Sequence, residues 1–355
     1  MNARRRPHIS LSPRPGALRP ARRAASRTAL ASVTALGALG LAACGTGQAG
    51  GDASDGVDVV ASFYPMQFLA EEIGGEHVSV TSLVKPGVEP HDLELGPQQT
   101  ASIGEADLVV YLKGFQPAVD EAVEQSGPEH VAETSAYTEL REHGAHEHGE
   151  EEQGAHGHGA EEHDHGHGEE EHGHEGHDHG EGTLDPHVWL DPVKYAEMAE
   201  GVGKALAEAD PDHASDYRSN AAELAGKLKA LDTEFREGLK NRDTDTFVTT
   251  HAAFGYLAER YGLREESIAG LDPEAGPSGA RMKELHEIVE HDGVGTVFFE
   301  SAASDRTART LADDLGLRTD VLDPVEGVTD ASRGDDYLEI MRANLQALRK
   351  ALGAG

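Results

Sequence analysis

Three short segments, far apart in the chain, each set one histidine in a turn: Gly87-Val88-Glu89-Pro90-His91-Asp92, Asp185-Pro186-His187-Val188-Trp189-Leu190-Asp191-Pro192 and Thr249-Thr250-His251-Ala252-Ala253-Phe254. Neutral imidazole is a ligand for zinc and other late first-row metals, and a carboxylate can complete a four-coordinate site. Asp323, in Leu322-Asp323-Pro324, is a fourth candidate, since it follows a strand pattern at 318–322. Three histidines and a water would also suit a catalytic zinc, which needs a general base nearby. No His-Glu-x-x-His occurs, and no acid is clearly assigned to the base role. Binding without catalysis is therefore the expectation.

A second concentration of imidazole lies between the first two segments. Residues 143–182 hold 12 histidines, 13 acidic residues and 11 glycines in 40 positions, with no aliphatic side chain larger than alanine. The histidines are His143, His146, His148, His156, His158, His163, His165, His167, His172, His174, His177 and His179. Such a stretch cannot bury enough apolar surface to offset its ordering entropy, so the composition predicts a disordered loop with several weak metal sites. A solvated acidic linker would need only Asp and Glu. Alone, this segment would equally suit a metal buffer, chaperone or sensor.

The elements that must position the three isolated histidines follow from periodicity. Strand patterns occur at 57–64, 77–84, 107–113 and 130–135, then again at 246–250, 267–270, 295–300 and 318–322. Helix patterns occur at 65–73, 252–261, 277–290, 305–315 and 337–352. Alternation of this kind predicts an α/β fold of two lobes, each a mostly parallel sheet flanked by helices. His91, His251 and Asp323 then follow strands, where open α/β sheets bind ligands. Tyr217, Ala221, Leu224, Leu228, Leu231, Phe235 and Leu239 recur at steps of four and three. That spacing predicts one long helix over 214–240 joining the lobes; a coiled-coil dimer is the competing reading.

Charge and the N-terminus narrow the class. The formal charge is −35, which argues against nucleic-acid binding because phosphate contacts need a basic face. Residues 1–43 contain eight arginines and no acidic residue, ending in an apolar run over 29–41. This reads as a signal peptide, since 13 apolar residues are too few to span a bilayer, which needs about 20. Leu41-Ala42-Ala43-Cys44 resembles a bacterial lipobox, which implies cleavage before Cys44 and lipidation of its sulfur. Cys44 is the only cysteine, so any metal in the mature chain must be held by nitrogen and oxygen. The expected organisation is a signal peptide over 1–43, a tether over 44–56 and an N-terminal lobe over 57–142. The histidine-rich loop over 143–182, the end of the first lobe over 183–210, a linking helix over 211–241 and a C-terminal lobe over 242–355 complete it.

The motifs together resemble the zinc-specific solute-binding lipoproteins of bacterial ABC importers, within the group that handles zinc and manganese. The resemblance rests on Ser62-Phe63-Tyr64-Pro65, Pro90-His91, the His187 segment and the His251 segment through Tyr256-Leu257. It continues in Gly270-Leu271-Asp272-Pro273, Pro277-Ser278 and the closing Leu-Asp-Pro, and covers the chain from about residue 57 to its end. It implies two α/β lobes joined by a rigid helix, with Zn2+ held between them by His91, His187 and His251. Some zinc members place a Glu immediately before the first histidine, where this chain has Pro90 with Glu89 one residue further off, so Asp323 is the first choice for the fourth ligand, water the second and Glu89 the third. The resemblance further implies a monomer lipid-anchored to the outer face of the cytoplasmic membrane, delivering zinc to an ABC permease with a cytoplasmic ATPase. Manganese members of the group resemble a site with Glu where this chain has His251. A manganese receptor of the same group, or a histidine-rich extracellular zinc buffer or adhesin without a permease, are the alternatives.

Overall fold

The computed structural model describes residues 56–143, 184–273, 276–301 and 306–354. The expected signal peptide, Cys44, nearly all of the tether and every histidine of the acidic segment except His143 lie outside the described residues.

The first half alternates strand and helix: β1 (Val57–Ala61), α1 (Tyr64–Gly74), β2 (Val78–Ser82), α2 (Pro97–Glu105), β3 (Leu108–Tyr111), α3 (Pro117–Ser126) and β4 (Val131–Glu133). Proline stands in the first turn of α1, α2 and α3, where its missing N–H costs no helical hydrogen bond and its fixed φ starts the turn. All neighbours in this sheet are parallel, in the order β2-β1-β3-β4. The second half repeats the plan with β5 (Thr246–Thr249), α6 (Gly255–Tyr261), β6 (Arg264–Ser267), α7 (Gly279–Asp292), β7 (Thr296–Phe299), α8 (Arg306–Leu315), β8 (Arg318–Val321) and α9 (Tyr337–Leu352). Its strands are parallel in the equivalent order β6-β5-β7-β8.

Two helices join the halves: α4 (Pro192–Ala209), capped by the Asp191 carboxylate on the Val193 and Lys194 N–H groups, and α5 (Ala214–Gly238). At 1.5 Å per residue, α5 is about 38 Å long. All seven residues of its periodic face are buried. It packs on α1 and α4 and on α9. Gly203 of α4 lies against α5 so closely that a Cβ there would sit 2.6 Å from the Ala221 Cβ, which explains the small residue. One apolar core runs from β1, α1 and α4 through α5 into α6 and α9. Two smaller cores, around Val109 and Ile103 and around Val297 and Leu311, seat α2 with α3 and α7 with α8 on the far faces of the two sheets.

Several details depart from the sequence pattern, and α4 is a helix that the pattern does not mark. The strand expected at 267–270 is Arg264–Ser267, because this edge strand is mostly charged and its apolar successors Ile268 and Ala269 lie in the loop beyond it. The helix expected from 252 starts at Gly255, since residues 250–254 form the turn that carries His251. α2 and α3 bury few side chains, and their apolar stripes are too weak to mark them in the sequence. Among the described residues, no helix is long and apolar enough to cross a membrane.

Candidate metal centre

Both sheets direct their strand ends into one cleft. His91 lies in the loop after β2, His251 in the turn after β5, and Glu326 in the loop after β8. His187 precedes a short 3-10 turn, Val188–Leu190, that leads into α4. One ligand atom from each of these four residues lies within 4.8 Å of the other three. Glu326 Oε1 is 3.3 Å from His91 Nε2, 3.3 Å from His187 Nε2 and 3.8 Å from His251 Nε2. His187, His251 and Glu326 are buried, and His91 is the partly exposed member.

The far side of each buried imidazole is fixed by a carboxylate. Asp185 Oδ1 lies 2.7 Å from His187 Nδ1, and Glu300 Oε1 lies 2.6 Å from His251 Nδ1. Carboxylate–imidazole pairs of this kind hold a metal-binding ring in one tautomer, with Nε2 left to the metal. The Nε2 atoms of both His187 and His251 are buried with no hydrogen-bond partner of good geometry. Unpartnered buried nitrogens of this kind are costly, and a four-donor set of three imidazoles and one carboxylate suits tetrahedral zinc. Phe115 packs edge-on to His91 at 4.6 Å between ring centroids, and Trp189 packs beside His187 at 5.3 Å, closing the apolar rear of the site.

Electrostatics follow from the same contacts. Burial disfavours a charged His187, but the neighbouring Asp185 and Glu326 carboxylates outweigh it and push the imidazole up to about 10. Burial likewise acts downward on His251, and the Glu300 charge more than offsets it, leaving it raised. Burial raises Glu326, yet the surrounding histidines, His187 and His91 first, hold it well below the usual carboxylate range. Without metal, the Glu326 carboxylate therefore sits against buried imidazoles, and the His187 ring beside it favours its charged form.

The structure brings together all three histidines singled out in the sequence, but the carboxylate beside them is Glu326 rather than Asp323 or Glu89. Asp323 is buried and turned away: its Oδ2 accepts the Ser301 hydroxyl and its Oδ1 accepts the Val325 N–H at 2.8 Å. Glu89 folds back to accept the His91 backbone N–H at 3.1 Å; burial and then the Glu326 charge raise its carboxyl. Asp323 thus shapes the turn that presents Glu326. In that turn Val325 has φ 59°, a left-handed conformation that is an outlier for a β-branched residue. The indole of Trp189 adds a hold by donating to the Pro324 carbonyl at 2.8 Å. His143, grouped in the sequence with the loop's metal donors, is instead docked on the folded body. Its Nδ1 is 3.0 Å from Asp185 Oδ2 and its Nε2 is 3.3 Å from Glu259 Oε2.

Comparison with known proteins gives consistent matches. A family model described as ZnuA, zinc-uptake complex component A periplasmic, matches residues 59–351. The zinc-binding lipoprotein AdcA of Streptococcus pneumoniae is 35% identical over 324 residues, which are 90% of this chain and 60% of that protein. The high-affinity zinc uptake system protein ZnuA of Bacillus subtilis is 36% identical over 318 residues, 88% of this chain and 93% of that protein. The crystal structure of Zn(II)-bound AdcA from Streptococcus pneumoniae aligns with a TM-score of 0.65 at 30% identity, over 84% of this chain and 58% of that one. The chain thus spans about 60% of the length of AdcA and nearly all of the length of the Bacillus protein.

Proposed function

Because this chain belongs to the ZnuA family of zinc-uptake components, we propose that it captures Zn2+ outside the cytoplasm and delivers it to an ABC permease for zinc uptake. The observation that carries this reading is the convergence of His91, His187, His251 and Glu326, with two buried Nε2 atoms lacking any other partner. These four residues hold the ion, and zinc is cargo rather than a catalytic group. Three imidazoles favour zinc over the harder Mn2+, which prefers oxygen donors. Lipidation at Cys44 would confine the receptor near its permease and the cytoplasmic ATPase that drives it. The protein acts as a monomeric solute receptor without catalysis.

A competition titration with Zn2+ and Mn2+ against a chromophoric chelator tests the proposal, using protein with residues 144–183 removed. The Asp185 N–H donates to the Arg141 carbonyl at 2.8 Å, so the flanks of that deletion already meet. One tight zinc site, lost in His251→Ala and weak for Mn2+, is expected. Loss of tight binding along with the segment would overturn the cleft assignment and leave a histidine-rich zinc buffer.

A further inference from the structure

Asp185 has two oxygens with different tasks. Oδ1 takes the Nδ1 and the backbone N–H of His187, at 2.7 and 2.9 Å, while Oδ2 faces His143 Nδ1 at 3.0 Å. The carboxylate itself is fully buried, so His143 is its counterpart on the side away from the cleft. Around this pair the chain is tied to α6 of the second lobe. The Arg141 N–H donates to Tyr256 Oη at 2.7 Å, and Tyr256 Oη donates to the Asp185 carbonyl at 2.9 Å. The Arg141 guanidinium and His143 Nε2 both reach Glu259.

The seat of His143 is built for a close fit. Its ring stands edge-on to Tyr256 at 4.4 Å between centroids. Beneath it is Gly255, the first residue of α6, where an added Cβ would lie 2.5 Å from His143 Cβ and 2.9 Å from Asp185 Oδ2. No positive φ calls for glycine at 255; the space that His143 and Asp185 occupy does.

We infer that His143 is a positioning residue for zinc capture, holding Asp185 so that Asp185 holds His187 with Nε2 aimed into the cleft. A carboxylate free to rotate about its terminal bond exchanges its two oxygens between partners. One engaged on both sides by imidazoles cannot turn without breaking a contact. Second-layer partners of metal-binding histidines typically change metal affinity by about 10–100-fold, and a residue one step further out is expected to do less. His143 is also the first histidine of the 143–182 segment, so the start of that segment is joined to a ligand of the cleft through one carboxylate. The inference rests on His187 being a zinc ligand.

The test uses the full mature chain, zinc below one equivalent, and a competing chelator strong enough that only the tightest site is read. Stopped-flow zinc release and the visible spectrum of the Co2+-loaded protein accompany the affinity. His143→Ala should weaken zinc about fivefold, speed its release and alter the Co2+ spectrum. His143→Asn places an amide donor where Nδ1 stood, towards Asp185, and should restore all three. His143→Gln places it where Nε2 stood, towards Glu259, and should not. Equal zinc binding in the Ala, Asn and Gln variants, whatever their melting temperatures, would overturn the inference, and rescue by Gln alone would assign His143 to a mere tie on Glu259. His187→Ala runs in parallel. If it leaves the tight site intact, the cleft reading itself fails; if it abolishes the site while His143→Ala changes nothing, only the positioning role fails.

Discussion

A single oxygen of Asp185 accepts both the ring Nδ1–H and the backbone N–H of His187, so one atom sets the position and the tautomer of a buried imidazole. Replacing Asp185 by Asn keeps the shape but allows the amide to present a donor to Nδ1 and favours the wrong tautomer. Asp185→Asn is expected to lower zinc affinity by about 10–100-fold, measured by chelator competition, with the fold retained by circular dichroism. Unchanged affinity would show that His187 does not need this partner.

Glu326 and Glu89 separate the two readings of the fourth donor. Glu326 lies within 3.8 Å of all three imidazoles, whereas Glu89 spends its oxygen on the His91 N–H. Glu326→Gln should weaken zinc by more than tenfold, and Glu89→Gln by no more than a few-fold, by the same titration. The reverse order would move the fourth ligand to Glu89.

Zinc binding should release protons. His187 is pushed up to about 10 and His251 is raised, so at neutral pH the metal-free centre carries at least one proton that zinc must displace. Affinity is expected to fall by about tenfold per pH unit between pH 8 and 6, with proton release visible as a buffer-dependent calorimetric enthalpy. Metal-free stability has the opposite sign. A raised His187 contributes stability that is fully present below the ordinary histidine value and is lost as pH rises towards about 10. Chelator-treated protein should therefore draw less stability from this histidine at pH 9 than at pH 6, and His187→Gln should flatten the profile of thermal unfolding.

Val325 bears a backbone cost of about 1–2 kcal/mol in its left-handed conformation. It is fully buried, so removing its side chain forfeits about 1.5–3 kcal/mol of packing. Val325→Gly relieves the first and loses the second, leaving a net destabilisation of about 1 kcal/mol. The aim of Glu326 loses its constraint, and zinc should dissociate several-fold faster in stopped-flow chelation. Destabilisation with an unchanged release rate would confine Val325 to packing.

The three histidines are legible in the sequence because each sits in a distinct turn motif, two of them at strand ends, and parallel strands point those ends at one cleft. The long α5 is equally legible, since seven apolar residues at steps of four and three line up only on the face of a helix. Glu326 is not. It shares its loop with Asp323, and an acid directly after a strand is the more visible candidate. Which of the two enters the cleft depends on the φ of Val325 and on the Trp189 indole reaching Pro324 from another element. Neither leaves a trace in periodicity. Edge strand β6 lies upstream of its apolar pattern for a related reason: its partner is decided by the β5 ladder, not by its own polar residues.

The unbroken core through α5 has a thermodynamic corollary. Leu228, Leu231 and Phe235 belong to the same apolar cluster as Phe63 of the first lobe and Met341 of the second. Neither half can melt while the other stays native without stripping that shared surface. The two walls of the cleft stand or fall as one cooperative unit, so a core defect far from the histidines lowers the fraction of molecules able to hold zinc, not the grip of those that remain folded.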